Sequence, residues 1–451
     1  MVETTDTIVA IATPPGRGGI GVVRISGTGV KNIINGLVAL ILSPRHAHFC
    51  KFRNQDGSVI DEGIAVFFKA PSSYTGEDML EVYTHGSRIV LNQIVSRAIE
   101  LGARLAKPGE FTERAFHNNK LDLVQAEAVA DLVDSVSDHA ARSAIRSLEG
   151  EFSRRVDGLL DKLVNLRMYV ESSLDFPDED VDFSSNTSTN TKLENCLKDL
   201  QDLFVRARQG AILKEGITAV IMGRPNVGKS TFLNRLAGRE AAIVTDEPGT
   251  TRDLIEQDIL MDDIPVHIID TAGLRTTTNK VEMEGIARAN TAAEKADVLI
   301  LLVEHGKQPG ADEQKLLDTA GENKHVIVVY NKIDLAGLPP ELIDKNGERP
   351  EILLSAKTGD GMDLFVQHIK ELLGVQDMFE DVFMARKRHL DALKRTNESI
   401  EKAMKLHSNH KSPELLAEEL RLAQQSLGEI TGAFVPDDLL EEIFKQFCIG
   451  K

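Results

Sequence analysis

Cysteine is scarce in this chain: Cys50, Cys196 and Cys448 are its only three, far apart and without a CxxC or Cys/His cluster among them. That pattern suits a reducing compartment and leaves no sequence-local zinc site. Long apolar stretches are also missing, and no run reaches the roughly 18 residues that a membrane span needs. The opening segment, MVETTDTIVAIATPPGRGG, has neither the basic start nor the apolar core of a secretory signal. Positive charge is in deficit, with 52 Lys and Arg against 70 Asp and Glu and a formal net charge of −18. Such a balance argues against a protein that simply coats nucleic acid, although a local basic docking surface remains compatible with it. The expectation is a soluble cytoplasmic enzyme that does not enter a membrane.

What is present is enough for several cores. At 451 residues, 42 % hydrophobic and 27 % charged, the chain has the size of two to four domains and the composition of a globular protein. Residues 1–118 read as mixed α/β: TIVAIAT (7–13), GIGVVRIS (19–26) and EGIAVFFKA (62–70) are β-rich runs between turn residues, and 89–101 is helix-like. From 119 the texture changes. Leu121, Val124, Ala128, Leu132 and Val136, then Leu148, Phe152, Val156, Leu159, Leu163 and Leu166, recur at three- and four-residue steps, the pattern of amphipathic helices. The acidic run DFPDEDVDF (175–183) and the following SSNTSTNT read as an exposed connection, since they lack the spacing and glycine of a calcium loop. A helix is expected from 192 to about 214.

At Gly216 alternating strands and helices begin, with strands at 217–222, 266–270, 298–303 and 325–330, and helical text returns after 380. Such β/α alternation implies a mostly parallel sheet with helices on both faces. The organisation expected is therefore an α/β domain at 1–118, a helical domain at 119–214 and 376–451, and an α/β block at 215–375 inserted into it.

The inserted block carries the chemistry. GRPNVGKS, Gly223 to Ser230, matches G-x-x-x-x-G-K-[ST] between a strand and a helix. Its glycines, with Asn226 and Val227 between them, let backbone N–H groups wrap phosphates at a helix N-terminus. Lys229 would reach the β- and γ-phosphates, Ser230 would bind Mg²⁺, and Thr231 continues the helix. Asp270 in DTAG would hold Mg²⁺ through water, and the Gly273 amide would sense the γ-phosphate. Thr250 and Thr251, in TDEPGTTRD (245–253), suit a mobile loop closing over Mg²⁺. Base choice comes from NKID: Asp334 can accept both donors on the guanine edge, while Asn331 and Lys332 buttress the loop. Ser355, Ala356 and Lys357 form the backbone loop near the guanine O6. Together these motifs specify GTP rather than ATP.

One position stands out for what it lacks. Where a Ras-like protein orients the attacking water with Gln after DTAG, this chain has Leu274, which cannot accept a hydrogen bond. Glu282 is a candidate for that role and Asn226 a candidate monovalent-cation ligand, although a solvated helix charge and a polar loop residue are equally open readings. Gly16 to Gly21 spells GxGxxG but precedes a strand-like run, so it reads as a turn and not as a dinucleotide site. The ending FCIGK is a poor prenylation box.

PPGRGGIGVVRISG, TGED (75–78), KPGEFTERAF, KLDLVQAEA, the GTPase set and the terminal FCIGK together resemble the MnmE (TrmE) family of tRNA modification GTPases. The resemblance spans the whole chain. It implies an N-terminal tetrahydrofolate-binding domain that forms a constitutive homodimer, and a GTPase domain inserted in the helical one. It also implies a partner, the flavoprotein MnmG with FAD and NADH, and addition of an aminomethyl or carboxymethylaminomethyl group to C5 of the tRNA wobble uridine. The carbon would come from 5-formyl- or 5,10-methylene-tetrahydrofolate. By position, Arg24, Glu81, Lys120 and Lys451 would contact the folate, with Cys448 a functional thiol nearby. Asn226, Thr245, Glu247 (through its backbone) and Thr250 would hold K⁺ as GTPase domains pair, Ser230 and Thr251 would ligate Mg²⁺, and Glu282 would orient the water. A competing reading is a nucleotide-switched ribosome-assembly factor that binds rRNA, for which a basic C-terminal domain would be expected.

Overall fold

A computed structural model describes residues 6–175, 186–239, 255–270, 296–310, 314, 325–343, 349–374, 382–408 and 413–450. The chain divides into two compact units, one of Met1–Asp134, Ser147–Leu200 and Ala392–Lys451, the other of Ser135–Arg146 and Gln201–Asp391.

The first unit opens with a six-stranded mixed sheet of β1 (Thr7–Ile11), β2 (Gly18–Ser26), β3 (Ala47–Arg53), β4 (Val59–Phe68), β5 (Met79–Gly86) and β6 (Ala103–Leu105), in the order β3-β4-β5-β2-β1-β6. All pairings are antiparallel except β1–β6. Alternation decides which face is buried: Val23, Ile25, Phe52, Ala65, Leu80 and Val82 point to one core with Leu91, Ile94 and Ala98 of a helix, Arg88–Glu100. A helical segment over 30–38, α-helical at Val30–Ile33 and then π-helical at Ile34–Val38, closes that core. We number these helices α1 (Val30–Ile33) and α2 (Arg88–Glu100).

Helices follow: α3 (Glu110–His117), α4 (Leu123–Val133), α5 (Asp138–Leu148), α6 (Glu151–Asp175) and α7 (Asn186–Glu215). The start of α4 is written locally in KLDLVQ. The Asp122 carboxylate accepts from the Gln125 amide at 2.8 Å, and the Gln125 side chain accepts from the Asp122 amide at 3.0 Å, a reciprocal cap. Only Gly16 and Arg17 of the GxGxxG run, which the sequence suggested was a turn, precede β2; Gly18–Gly21 already belong to the strand, and no helix follows.

In the second unit a seven-stranded sheet runs β12-β13-β11-β10-β7-β9-β8. Its strands are β7 (Ile217–Met222), β8 (Ile255–Met261), β9 (Ile264–Asp270), β10 (Val298–Glu304), β11 (His325–Asn331), β12 (Glu341–Ile343) and β13 (Glu351–Leu353). The five from β13 to β9 are parallel, and the edge strands β12 and β8 are antiparallel. Successive residues of β10 face opposite cores: Val298, Ile300 and Leu302 join one cluster, Leu299, Leu301 and Val303 another. Burial on both faces is why this strand reads as an unbroken apolar run. Below the first cluster lie α8 (Lys229–Arg239) and α9 (Met362–Leu372), joined by an edge-on contact of Phe232 and Phe365 at 5.0 Å between ring centres.

The chain then forms α10 (Lys387–Ser408), α11 (Pro413–Thr431) and α12 (Asp437–Lys445). Helix α11 lies along α6, where Arg167 donates to the Gln424 side chain at 2.7 Å. The last residues return to the first sheet's neighbourhood: Ile449 bridges to Pro108, and the Gly109 amide donates to the Cys448 carbonyl at 3.4 Å.

A buried ion cluster fastens α3 to the chain's start. Arg114, its side chain only 3 % exposed, donates to Asp6 at 2.7 Å, Glu110 at 2.9 Å and Glu77 at 3.1 Å. Arg104 joins through Glu110 and Asp6. Burial alone would raise the Glu110 carboxyl, but hydrogen bonds from Arg104, the Lys107 amide and Arg114 overcome it and hold it below the usual carboxylate range. A depressed folded value means that this stability is present above the ordinary Glu value of about 4.3 and is lost as pH falls through the lower folded one. Arg114→Leu should therefore destabilise the chain by about 3–5 kcal/mol near neutral pH, by leaving carboxylates buried without a partner. Denaturant melts from pH 7 to 3 check this, and a penalty that does not shrink toward pH 3 would contradict it.

Candidate functional site

Strand β7 ends at Met222, and the chain turns through Gly223–Gly228 into α8. Two of these glycines cannot be replaced without a clash. At Gly223 (φ 147°) a Cβ would lie 2.4 Å from the Leu302 carbonyl oxygen, and at Gly228 (φ 99°) it would lie 2.4 Å from Nδ2 of Asn331. Asn226 between them is also left-handed, at φ 67°, and exposed. The loop is thus pulled tightly against β10 and the end of β11, with Val227 buried behind it. Lys229 is buried and folds back across the loop, its Nζ donating to the carbonyls of Gly223 at 2.6 Å and Arg224 at 3.0 Å. Ser230 and Thr231 are exposed in the first turn of α8, where unpaired amides and the positive end of the helix dipole favour an anion.

The residues that the sequence suggested for base choice converge on this loop from β11 and β13. Asn331, 2 % exposed, donates from Nδ2 to the Val227 carbonyl at 2.8 Å, while its Oδ1 accepts from the amides of Lys332 at 2.8 Å and Ala356 at 2.9 Å. Lys332 (φ 71°) reaches the Asn226 carbonyl at 2.7 Å and Glu304 at 3.0 Å. Hydrogen bonds from Lys307 and Lys332 hold the Glu304 carboxyl below its ordinary range. Ser355, fully buried, donates to Oδ1 of Asp334 at 2.8 Å. Ala356 is buried, and Lys357 is exposed beside it.

The ends of the strands set this convergence. The Gly223–Gly228 loop follows β7, Asn331 closes β11, Ser355 comes two residues after β13, and Asp270 closes β9 opposite Ile221 of β7. All lie at the carboxyl edge of a parallel sheet, where ligands bind in open α/β folds. The remaining residues named from the sequence for this site, Thr245, Glu247, Thr250, Thr251, Gly273, Leu274 and Glu282, lie outside the described residues. Among the described residues no group of three or more His, Cys, Asp or Glu could hold a metal.

A second constellation occupies the first unit. Arg24 on β2 and Glu81 on β5 face each other in register and form a two-point ion pair at 2.9 and 3.0 Å. Tyr83 donates to the other Glu81 oxygen at 2.7 Å, and burial together with that carboxylate pushes the phenol up to about 12. The Arg24 guanidinium lies over the rings of Tyr74 and Phe111, 5.3 and 5.8 Å from their centres, and donates to the Gly450 carbonyl at 3.4 Å. Glu81, Tyr74, Lys120, Arg45, Met79 and Ser73 help line a cavity of about 360 Å³ beside this pair. Arg24, Glu81 and Lys120 are therefore brought together; Cys448 has an exposed thiol two residues before Gly450. Lys451 lies outside the described residues.

Sequence reasoning overlooked Tyr74, Tyr83, Glu304 and, on α8, Arg235, whose Nε donates to the Ala356 carbonyl at 3.2 Å. Tyr83 could have been found, since it lies two residues from Glu81 on the same strand face. Glu304 and Arg235 carry no motif and become visible only when β10 and α8 are placed beside the loops.

The chain is similar to known proteins over nearly its whole length. A model of the MnmE helical domain matches residues 123–448, and a model of the N-terminus of the GTP-binding protein TrmE matches 7–120. The tRNA modification GTPase MnmE of Coxiella burnetii is 50 % identical over 99 % of this chain and 99 % of its own. That of Hydrogenovibrio crunogenus is 48 % identical over 100 % of this chain and 99 % of its own. Among solved structures, the G domain of the FeoB iron transporter of T. maritima is 26 % identical over 34 % of this chain and 97 % of that one, with a TM-score of 0.26.

The two glycines provide a direct check on the cradle. Gly228→Ala should weaken binding of a fluorescent GDP analogue by about 100-fold, roughly 2.7 kcal/mol. Gly238→Ala, on the same helix but with nothing within 4 Å of the added Cβ, should bind as the unaltered chain does. Equal affinity in the two variants, with unchanged circular dichroism, would contradict the geometry.

Proposed function

The chain belongs to the MnmE family of tRNA modification GTPases, and from that premise we propose that it hydrolyses GTP to drive modification of the tRNA wobble uridine. The group added at C5 is an aminomethyl or carboxymethylaminomethyl group, made together with the FAD-dependent flavoprotein MnmG. The observation that carries the GTPase half is the Asn331 junction, which joins the phosphate cradle to Asp334 and the Ser355–Lys357 loop. An rRNA-binding assembly factor finds no support in a full-length match to tRNA modification enzymes.

In this reading the loop amides from Gly223 to Gly228 and the first turn of α8 hold the phosphates. Lys229 exchanges the Gly223 and Arg224 carbonyls for phosphate oxygens. Asp334 accepts both donors of the guanine edge, one on each carboxylate oxygen, with Oδ1 also held by the Ser355 hydroxyl. Ser230 fits a Mg²⁺ ligand by its place in the first turn of the phosphate helix, with Thr251 and Asp270 completing the set. Mg²⁺, when bound, neutralises charge on the β- and γ-phosphates. Asn226 fits a K⁺ ligand, since Lys332 fixes its backbone while its side chain is exposed at the phosphate loop. Thr245, Glu247 and Thr250 would complete that site as two GTPase domains meet, and Glu282 would orient the water in place of the glutamine that Leu274 replaces.

The Arg24–Glu81 pair and its cavity would bind a one-carbon tetrahydrofolate, 5-formyl or 5,10-methylene. The pairing of a carboxylate, two phenols and flanking cations suits a ligand that has both a hydrogen-bonding heterocycle and an acidic tail. Bound folate would supply the methylene carbon. Glu81 and Arg24 would orient the heterocycle, Lys120 and Lys451 would meet the acidic tail, and Cys448 would stand nearby as a functional thiol. The chain would work in the cytoplasm as a homodimer through its N-terminal domains; among the described residues no helix is long and apolar enough to cross a membrane.

The test is steady-state GTP hydrolysis by the full chain in K⁺ and in Na⁺ at matched ionic strength. Turnover about tenfold faster in K⁺, some 1.4 kcal/mol off the barrier, is expected, and Asn226→Ala should erase the difference. Equal rates in both salts would remove the cation-assisted mechanism.

A further inference from the structure

We propose that Arg235 is a positioning residue for guanine recognition, tying the helix that holds the phosphates to the loop that reads the base. This rests on the GTP-binding reading above. Arg235 lies on α8, six residues beyond Lys229. Its Nε donates to the Ala356 carbonyl at 3.2 Å, and its Nη2 donates to the Lys357 carbonyl. The guanidinium also lies against Gly359, where an added Cβ would meet it at 3.7–3.8 Å. An open groove of about 290 Å³, lined by Thr231, Asn234 and Gly238, runs beside the contact.

Two consecutive peptide planes are fixed by this one side chain. In a trans peptide the carbonyl and the following N–H point in opposite directions. Drawing the Ala356 carbonyl toward α8 therefore turns the Lys357 amide away from α8, to the side where the guanine O6 would lie. Drawing the Lys357 carbonyl the same way turns the Thr358 amide outward, and that amide donates to Oγ of Ser355 at 3.3 Å. Ser355 in turn donates to Asp334. Arg235 thus orients both elements that meet the base, the O6-facing amide and the partner of the carboxylate that accepts from N1 and N2. It achieves this without touching the nucleotide. A planar fork with two donors suits two neighbouring carbonyls, and a lysine would satisfy one at most.

The experiment compares Kd values of the full chain for three 5′-diphosphates: guanosine, inosine, and 2-aminopurine riboside, which lacks O6 and the N1 proton. In Arg235→Ala, GDP and IDP should each bind about tenfold more weakly, the cost of losing charge-assisted hydrogen bonds. The 2-aminopurine analogue, which keeps only the N2 donor, should weaken by no more than about threefold, so that discrimination between it and GDP narrows. Arg235→Lys should fall between, which also protects the test if the alanine variant folds poorly. Loss of affinity by the same factor for all three nucleotides, or no change for any, would overturn the assignment while leaving the GTPase reading intact. Failure of the unaltered chain to bind GDP would overturn that reading, and this inference with it.

Discussion

The side-chain amide of Asn331 is the interaction on which the proposed nucleotide site depends. It lies buried at the end of β11, where Nδ2 is committed to the loop before α8 and Oδ1 to both the turn at Lys332 and the loop at Ala356. The Gly223–Gly228 loop, the turn at Lys332 and the loop at Ala356 therefore share one rigid point. An amide in that position is costly to leave unpaired, so the three segments are held in mutual register even before a ligand arrives. The tight approach at Gly228 follows from the same contact, since the space a Cβ would need is taken by the Asn331 amide nitrogen. Lys332, one residue on, extends the junction to Asn226 and Glu304.

The sheet makes this economy of contacts workable. Five adjacent parallel strands, buried on both faces, deliver their carboxyl ends to one edge. Loops far apart in sequence then need only a few hydrogen bonds to meet. The N-terminal sheet uses a different device: Arg24 and Glu81 sit opposite each other on neighbouring antiparallel strands, so register alone brings the charges together. Both sites place their chemistry on strands or strand ends, where backbone geometry is least free to drift.

Much of this was legible in the sequence, and the reason is locality. Gly223–Ser230, Asn331–Asp334 and Ser355–Lys357 are short segments whose residue types encode their own turns, and their order along the chain implied the parallel sheet. The four apolar strands at 217–222, 266–270, 298–303 and 325–330 stand out because both faces are covered. Strands β3, β5 and β8 escaped notice. In AHFCKFR and IEQDILM polar and charged residues interrupt the apolar positions, and in MLEVYTHG the buried Glu81 and Thr84 break the hydrophobic pattern. Helix α7 begins at Asn186, earlier than the 192 expected, because its first turns are written in Ser, Thr and Asn, which read as a loop. Pairings across long sequence distance, such as Arg24 with Glu81 or Arg235 with Ala356, leave no periodic trace. Family resemblance named Arg24 and Glu81 as separate folate contacts and not as a pair, and the second pairing was not reached at all.

Amide hydrogen exchange of Asn331→Ala against the unaltered chain, both nucleotide-free, tests the central claim most directly. If one side chain holds the three loops in register, exchange should accelerate together in the phosphate loop, at Lys332 and at Ala356, while β10 and β11 keep their protection. Faster exchange confined to the residues next to position 331 would show that the loops are held independently, and would contradict the account.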